Sequence, residues 1–386
     1  MDTFTPIPNY QPLPLPLPVW LMQTLLVLGF FLHALPMNVI LGGGFICAVL
    51  FAISKGKQSY QYRAAKALAI SLPVFISFAV TQGIVPLLFL QLLYGPAFYT
   101  SSIVMAVPWI SLLLVVMTSY YLSYITIYKV LRKEDDASAT RAAMVLLVMA
   151  IGFAIVGYVF SNNMTLMLSP QKWLPMYQAS PKGLNLNSSE PTLIPRYLHM
   201  LVSSFAVAGM TMGLFGLFVK NDEKYSQWLI KTGSRIFVAW TLIQIPVGLW
   251  FLKTLPPQFA AKFMGGDNVA SLVFAGSMAL MVVALCATCI SAQNANRIAF
   301  LGGLIANALL ILAMIVNRHQ LRLFHLQDYV KPDSVPVSTQ WDLLAIFLVS
   351  TVALIFYLVW LSKLVFRALS PKKEETAATS LLGTTP

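Results

Sequence analysis

Nine long hydrophobic runs divide the chain, and each ends at charged residues, at a cluster of Pro or Gly, or at a polar loop. Each run is close to or above the roughly 20 apolar residues that a helix needs to cross a bilayer. Because lipid offers no hydrogen-bond partners to an open backbone, runs of this length are predicted to be helices. They cover residues 19–53, 66–94, 101–128, 142–164, 195–219, 235–253, 269–291, 297–317 and 341–366.

The composition agrees with this pattern, since 58% of the 386 residues are hydrophobic and only 10% are charged. Soluble domains carry about 25% charged residues, so the chain has no room for a water-soluble catalytic domain. We predict an all-α integral membrane protein with one transmembrane domain over 19–366. A Pro-rich outer segment, 1–18, precedes it, and a cytoplasmic tail, 367–386, follows. The longest polar connection, 165–194, is predicted to be an irregular outer loop.

The charge distribution predicts the orientation of the helices. Roughly two thirds of the 25 Lys and Arg residues fall in one alternate set of loops, and such loops face the cytoplasm. The amino terminus is then outside and the carboxyl terminus inside, in a multi-pass protein of the cytoplasmic (inner) membrane. We assign the formal net charge of +12 to these basic loops, and therefore expect no nucleic-acid partner.

Acidic side chains are absent from the centres of the runs, because all 13 Asp and Glu residues fall in loops, tails or helix ends. Ion-coupled carriers usually need intramembrane carboxylates, so this pattern weighs against a carboxylate-coupled transporter.

Three cysteines, Cys47, Cys286 and Cys289, lie inside apolar runs. We interpret the CxxC pair as buried small residues rather than as a metal or redox motif.

All four histidines are predicted to lie toward the outer side. His33 falls near the outer boundary of the first helix, His199 in the first turn of the fifth, and His319 and His325 at the end of the eighth. A neutral imidazole at this depth needs partners for both ring nitrogens, and axial ligation of haem iron provides one. The alternative is a hydrogen-bonded histidine at the membrane interface.

Three arginines accompany these histidines. Arg318 and Arg322 are four residues apart and share a helix face, and Arg196 lies one turn from His199. Their guanidinium groups would suit haem propionates, since such pairs form strong bidentate hydrogen bonds. Anchoring at the outer membrane surface explains them equally well, and both interpretations stay open at this point.

Three segments, in order, resemble the larger subunit (subunit I) of cytochrome bd-type quinol oxidases. They are residues 30–44 with His33 and three successive glycines, residues 78–95 with a Gly-Ile-Val-Pro turn, and residues 195–204 with His199. The correspondence covers about residues 19–253. The resemblance implies nine helices, an outside amino terminus, one or two b haems bound by His33 and His199, and a second membrane subunit.

The chain also departs from that family. The third helix, around 107–121, lacks the family's two glutamates, and the last helix, 341–363, lacks a mid-membrane glutamate. The segment 253–268 replaces a long quinol-binding loop. In the seventh helix Ala275 stands at the position of the family's Met ligand. Met278 is a substitute candidate three residues on, although it is equally well explained as core packing.

From these features we expect a haem b membrane cytochrome, the membrane subunit of a quinol-oxidising complex rather than a full oxygen reductase. It would carry electrons from the membrane quinone pool to an outer-side acceptor such as a periplasmic c-type cytochrome. His199 would bind one haem opposite Met278 or a histidine at the end of the eighth helix. His33 would bind a second haem, with His319 as a candidate trans ligand.

Two other classes of protein remain open. The first is a haem-free solute transporter in which Pro86, Pro108 and Pro246 break helices around a central site. The second is a cofactor-free structural subunit of a respiratory complex. In all three classes, polar residues at depth are expected to join helices by hydrogen bonds. These residues are Asn38, Gln82, Gln91, Gln244 and Asn307.

Overall fold

A computed structural model of the chain describes residues 13–132 and 138–369. In these ranges 9 helices are long and apolar enough to cross a membrane. The long helices are α1 Val19–Ala52, α2 Tyr60–Val104, α3 Ala106–Ile125, α4 Ser138–Met167, α5 Leu193–Phe218, α6 Glu223–Thr254, α7 Asn268–Asn294, α8 Arg297–Leu326 and α9 Trp341–Leu369.

The first eight helices belong to one compact unit, and α9 belongs to a second unit that starts at residue 339. In the most apolar stretch of α9, 0% of the residues are buried. Residues 1–12 and 370–386, which include most of the predicted outer segment and tail, lie outside the described residues. The predicted domain boundaries therefore stay predictions.

Helix α1 lies at the centre of the first unit and packs against α2, α4 and α5. In its most apolar stretch 78% of the residues are buried. A Cβ atom on Gly42 would lie 2.1 Å from the carbonyl oxygen of Ser204 in α5, so only glycine permits this approach of the two backbones. Small residues commonly allow such close packing in membrane helices. Gly42 therefore fixes the distance between α1 and α5.

We call the end at which α1, α3, α5 and α7 begin the outer end, after the predicted orientation. The inner half of this unit, away from that end, is a continuous apolar core. Toward the opposite end, buried residues of α1, α2 and α4 such as Phe51, Leu72 and Leu146 pack together. An ion pair at that end joins Arg63 to Asp222, with a distance of 2.7 Å between Nη1 and Oδ2. The outer half is packed differently, and it contains a cavity.

The transporter hypothesis requires Pro86, Pro108 and Pro246 to break helices. That expectation was wrong for Pro86 and Pro246, which lie inside continuous helices. Helix α2 continues through Pro86, and its non-helical residue is Tyr94, further along the chain. Helix α6 continues through Pro246. Pro108 lies in the first turn of α3, where a missing N–H costs little. Membrane helices tolerate proline where neighbouring groups satisfy the freed carbonyl.

Two smaller expectations also needed correction. The outer connection contains a short helix, Trp173–Ala179, where an irregular loop was predicted. Trp173 is buried and donates a hydrogen bond to the carbonyl of Leu166 at 2.8 Å, which holds this helix against the end of α4. Cys286 is exposed and Cys289 is partly exposed on α7, so these cysteines are not the buried packing residues that we expected. Cys47 is buried.

Candidate functional site

A cavity of about 360 Å³ lies in the outer half of the bundle, between α1, α2, α3, α4, α5 and α8. Most of its wall is apolar, and no Asp or Glu occurs among the described residues that line it. Its ionisable lining consists of two histidines, three arginines and Tyr197. The structure thus brings together five residues that were singled out from the sequence: His33, Arg196, Arg318, His319 and Arg322.

His33 reaches the cavity from α1 with a defined ring orientation. Its Nδ1 lies 2.7 Å from the carbonyl oxygen of Ala79 in α2. A carbonyl oxygen only accepts, so Nδ1 carries the proton and donates it to Ala79. In the neutral ring the lone pair is then on Nε2. Metal-binding histidines are typically fixed in this way by a backbone carbonyl at the other nitrogen.

Gly83 makes room for this imidazole. A Cβ atom at position 83 would lie 2.9 Å from Nδ1 and 3.0 Å from Cε1 of His33. Those distances are shorter than van der Waals contact, so any larger residue would displace the ring. Phe30 also contacts His33, with their ring centroids 5.9 Å apart. The position of the His33 ring therefore depends on two residues that lie in the segments resembling the bd family but were given no role from the sequence.

His319 has the opposite tautomer. Its Nδ1 lies 3.2 Å from Nη1 of Arg322, and a guanidinium group only donates. Nδ1 of His319 therefore accepts, and the proton of the neutral ring is on Nε2. Iron ligation through Nε2 would require moving that proton to the nitrogen that faces Arg322. In this geometry Nδ1 of His319 accepts a hydrogen bond and its protonated Nε2 can only donate one. His33, whose Nε2 carries a lone pair, is therefore the better candidate ligand.

Two of the three arginines, Arg196 and Arg322, are buried and Arg318 is partly buried, and none has an acidic partner among the described residues. Among the described residues, no carboxylate lies within 4.0 Å of their guanidinium groups, and Nε of Arg196 has no hydrogen-bond partner. Each guanidinium instead lies over an aromatic ring: Arg318 over Phe30 at 4.2 Å, Arg322 over Tyr94 at 5.7 Å, and Arg196 over Phe251 at 5.2 Å. Uncompensated buried cations are costly, which marks this end of the cavity as an anion site.

The nearby carboxylate of Glu190 is engaged elsewhere. It pairs with Lys172 at 2.6 Å and accepts a hydrogen bond from the Thr192 hydroxyl at 3.0 Å. Burial raises the pKa of Glu190, but the hydrogen bond and charge of Lys172 outweigh burial and hold that pKa below its ordinary value. Glu190 thus stabilises the outer connection above the cavity and leaves the arginines without a direct counter-ion.

His199 lies apart from the residues that line the cavity, on the side of α5 that faces α6. A Cβ atom on Gly248 would lie 3.1 Å from its Cε1, and Gln244 Nε2 donates to the His199 carbonyl at 2.8 Å. Nδ1 of His199 is buried without a partner. None of the described contacts of His199 involves Met278, which is half-buried on α7. His325 packs against Phe259, with ring centroids 4.3 Å apart.

The predicted hydrogen bonds between helices form at some of the polar positions. Gln244 joins α6 to α5 through His199, and Asn38 Oδ1 accepts from Ser203 Oγ of α5 at 3.5 Å. Gln91 accepts from Tyr99 within its own helix. For Gln82 the prediction was wrong, because both its amide atoms are buried without a hydrogen-bond partner.

The cavity is not fully enclosed, and its wall includes Val80, Ile84 and Phe160, whose exposed fractions are 47%, 63% and 37%. These residues are apolar, so the opening suits lipid rather than water. The cavity thus combines an apolar chamber, one imidazole lone pair and a cationic end. A haem b fits this donor set, since it has an apolar ring, an iron that accepts nitrogen ligands and two carboxylates.

The described helices define an all-α, multi-pass membrane protein with a fold like that of cytochrome bd oxidases. The solved structure described as the bd oxidase from Geobacillus thermodenitrificans matches with a TM-score of 0.69. The match covers 93% of this chain and 100% of that chain, at 13% sequence identity. No family model matches the chain, and no curated protein matches it. The likeness is therefore one of fold.

Proposed function

We propose that the chain is a haem b membrane cytochrome that passes electrons from membrane quinol to an acceptor on the outer side. The observation that carries the proposal is the cavity itself. There, His33 offers Nε2 while Ala79 holds its other nitrogen, and three arginines, two buried and one partly buried, have no acidic partner among the described residues. The fold supports the proposal, since the structure that it matches is described as a bd oxidase.

The roles of the cavity residues follow from their chemistry. His33 would hold the iron through Nε2, and Arg196, Arg318 and Arg322 would hold the propionates. Bound there, haem supplies one-electron transfer, with a potential set by its ligands and by the surrounding charge. The apolar wall excludes water and lowers the local dielectric, which strengthens each guanidinium interaction. Nε2 of His319 would donate a hydrogen bond within the same cavity.

The lining also bears on the kind of reaction. Reduction of oxygen to water needs a supply of protons, and no carboxylate lines the cavity among the described residues. Two polar groups there are engaged within the protein, since the Tyr197 hydroxyl donates to the carbonyl of Ala154 at 3.0 Å and Nδ1 of His319 accepts from Arg322 at 3.2 Å. We therefore propose electron transfer to a separate acceptor, such as a periplasmic c-type cytochrome, rather than oxygen reduction within the chain.

A second haem at His199 is part of the proposal. Its buried, unpartnered Nδ1 on the α6 side is the supporting observation, since such an atom is costly unless it is bound. Met278 or a histidine of α8 would be a further candidate to hold that haem. A second membrane subunit and residence in the cytoplasmic membrane complete the proposal, and both rest on the resemblance to the bd family.

The test is the colour of the purified full chain, produced with haem in sufficient supply. We expect a b-type α-band in the dithionite-reduced minus air-oxidised spectrum, and a pyridine haemochrome of one or two haems per chain. A colourless protein would overturn the proposal. It would leave the solute transporter and the cofactor-free structural subunit, which substrate binding would then separate.

A further inference from the structure

A second, much smaller pocket adjoins the cationic end of the cavity. It measures about 10 Å³ and is walled by Arg196, Arg318 and Arg322 together with Met164, Met167 and Leu168. Three arginines that have no acidic partner among the described residues thus meet around a space of about one water molecule. The remaining walls are two thioether side chains and one aliphatic side chain.

The charges around this pocket do not balance. Guanidinium groups stay protonated in proteins, so the three arginines carry three positive charges. Glu190, the nearby acid, is already paired with Lys172. A haem in the main cavity would bring two propionates, which leaves one guanidinium without a negative partner.

Size and lining identify the class of ion that would complete the site. A space this small, at about 10 Å³ between three arginines, favours a single small ion over a carboxylate that carries a carbon chain. Three guanidinium donors repel cations and attract anions. Apolar walls at Met164, Met167 and Leu168 favour an ion that gives up its hydration readily.

We propose that Arg196, Arg318 and Arg322 bind a small monovalent inorganic anion of the halide class. The argument for a third negative charge rests on the proposed haem, but the pocket itself does not depend on it. Arg196 is the most informative residue to change. Its Nε has no partner, and its described contacts include no hydrogen bond from its side chain.

The experiment measures thermal unfolding of the full chain in detergent, in chloride or gluconate at equal ionic strength. We expect chloride to raise the Tm saturably, because a ligand that binds only the folded state stabilises it. Arg196→Gln should weaken the apparent affinity at least tenfold, and Arg196→Lys should restore part of it. Arg235→Gln changes an exposed arginine on α6 and should match the parent.

An absent chloride effect in the parent would overturn the proposal, as would equal effects in Arg196→Gln and Arg235→Gln. If Arg196→Gln does not fold, the line width of ³⁵Cl NMR on the parent serves instead. Broadening that bromide reverses supports the site, and no broadening overturns it.

Haem-loaded and haem-free preparations separate this proposal from the proposed function. A chloride effect in both preparations supports the anion site beside the haem. An effect in the haem-free protein alone would mean that chloride only replaces propionates, which overturns this inference and leaves the proposed function intact. A chloride effect in a chain that never binds haem would keep the anion site and overturn the proposed function.

Discussion

The two histidines of the cavity differ in the nitrogen that carries the proton, and this difference separates their roles. His33 donates from Nδ1 to a carbonyl, whereas His319 accepts at Nδ1 from Arg322. Neither tautomer was predictable from sequence, because the partner of His33 lies 46 residues away. The residue types and their approximate depth were predictable, and so was the shared face of Arg318 and Arg322.

At Gly83 a single methyl group should displace the proposed ligand. Gly83→Ala places a Cβ 2.9 Å from Nδ1 of His33, so the ring must move and lose its bond to Ala79. Loss of such a supporting contact typically weakens metal binding by about tenfold to a hundredfold. We therefore expect the haem content to fall in a haem titration. The matched control is Gly302→Ala, which has no heavy atom within 4 Å and should bind like the parent.

At the scale of helices, the hydrophobic pattern predicted the long elements but not their full lengths. The second run was expected over 66–94, and α2 extends from Tyr60 to Val104. Residues 60–65 at its start include Gln61 and Arg63, which hydropathy does not assign to a span. At its other end α2 continues past Tyr94 into residues 101–104, which the pattern had assigned to the third run. The short helix at Trp173–Ala179 was missed because its one strong determinant is a tertiary contact of Trp173.

The crossing of α1 and α5 makes a prediction about two adjacent glycines. Gly42→Ala forces the α5 backbone away, since the new Cβ would lie 2.1 Å from the Ser204 oxygen. We expect a loss of about 1–3 kcal/mol in the free energy of unfolding, which is typical of overpacking. Gly43→Ala meets Leu68 at an ordinary 3.6 Å and should be neutral or slightly stabilising. Unfolding in mixed micelles with increasing SDS compares the two, and equal losses would contradict the account.

The outer connection should respond to acid through Glu190. Because its pKa in the folded state is held below the ordinary 4.5, its contribution to stability is present above that pH. The contribution is lost as the pH falls toward the folded value. We expect the Tm of the parent to fall more steeply below pH 4.5 than that of Glu190→Gln. Asp328→Asn, at an exposed acid, should follow the parent, and identical curves for parent and Glu190→Gln would refute the prediction.

At the scale of the whole molecule, composition was sufficient to predict an all-α membrane protein, and the order of three motifs indicated the bd-oxidase-like fold. The cavity was not predictable, because its shape depends on how six helices approach one another. Gly42 and Gly83 belong to the motifs that resemble the bd family, but the sequence does not show which neighbouring atoms each of them lets approach. The predicted orientation, with the amino terminus outside, remains a prediction that reporter fusions at both termini would test.

The central claim is that His33 holds a haem iron inside the cavity. The most direct measurement is the haem content of His33→Gly, prepared with and without imidazole, beside His319→Gly prepared in the same way. We expect His33→Gly to lose one haem per chain and to regain it with imidazole, since the added ring replaces the missing ligand. His319→Gly should keep its haem in both conditions. Full haem content in His33→Gly without imidazole would contradict the account.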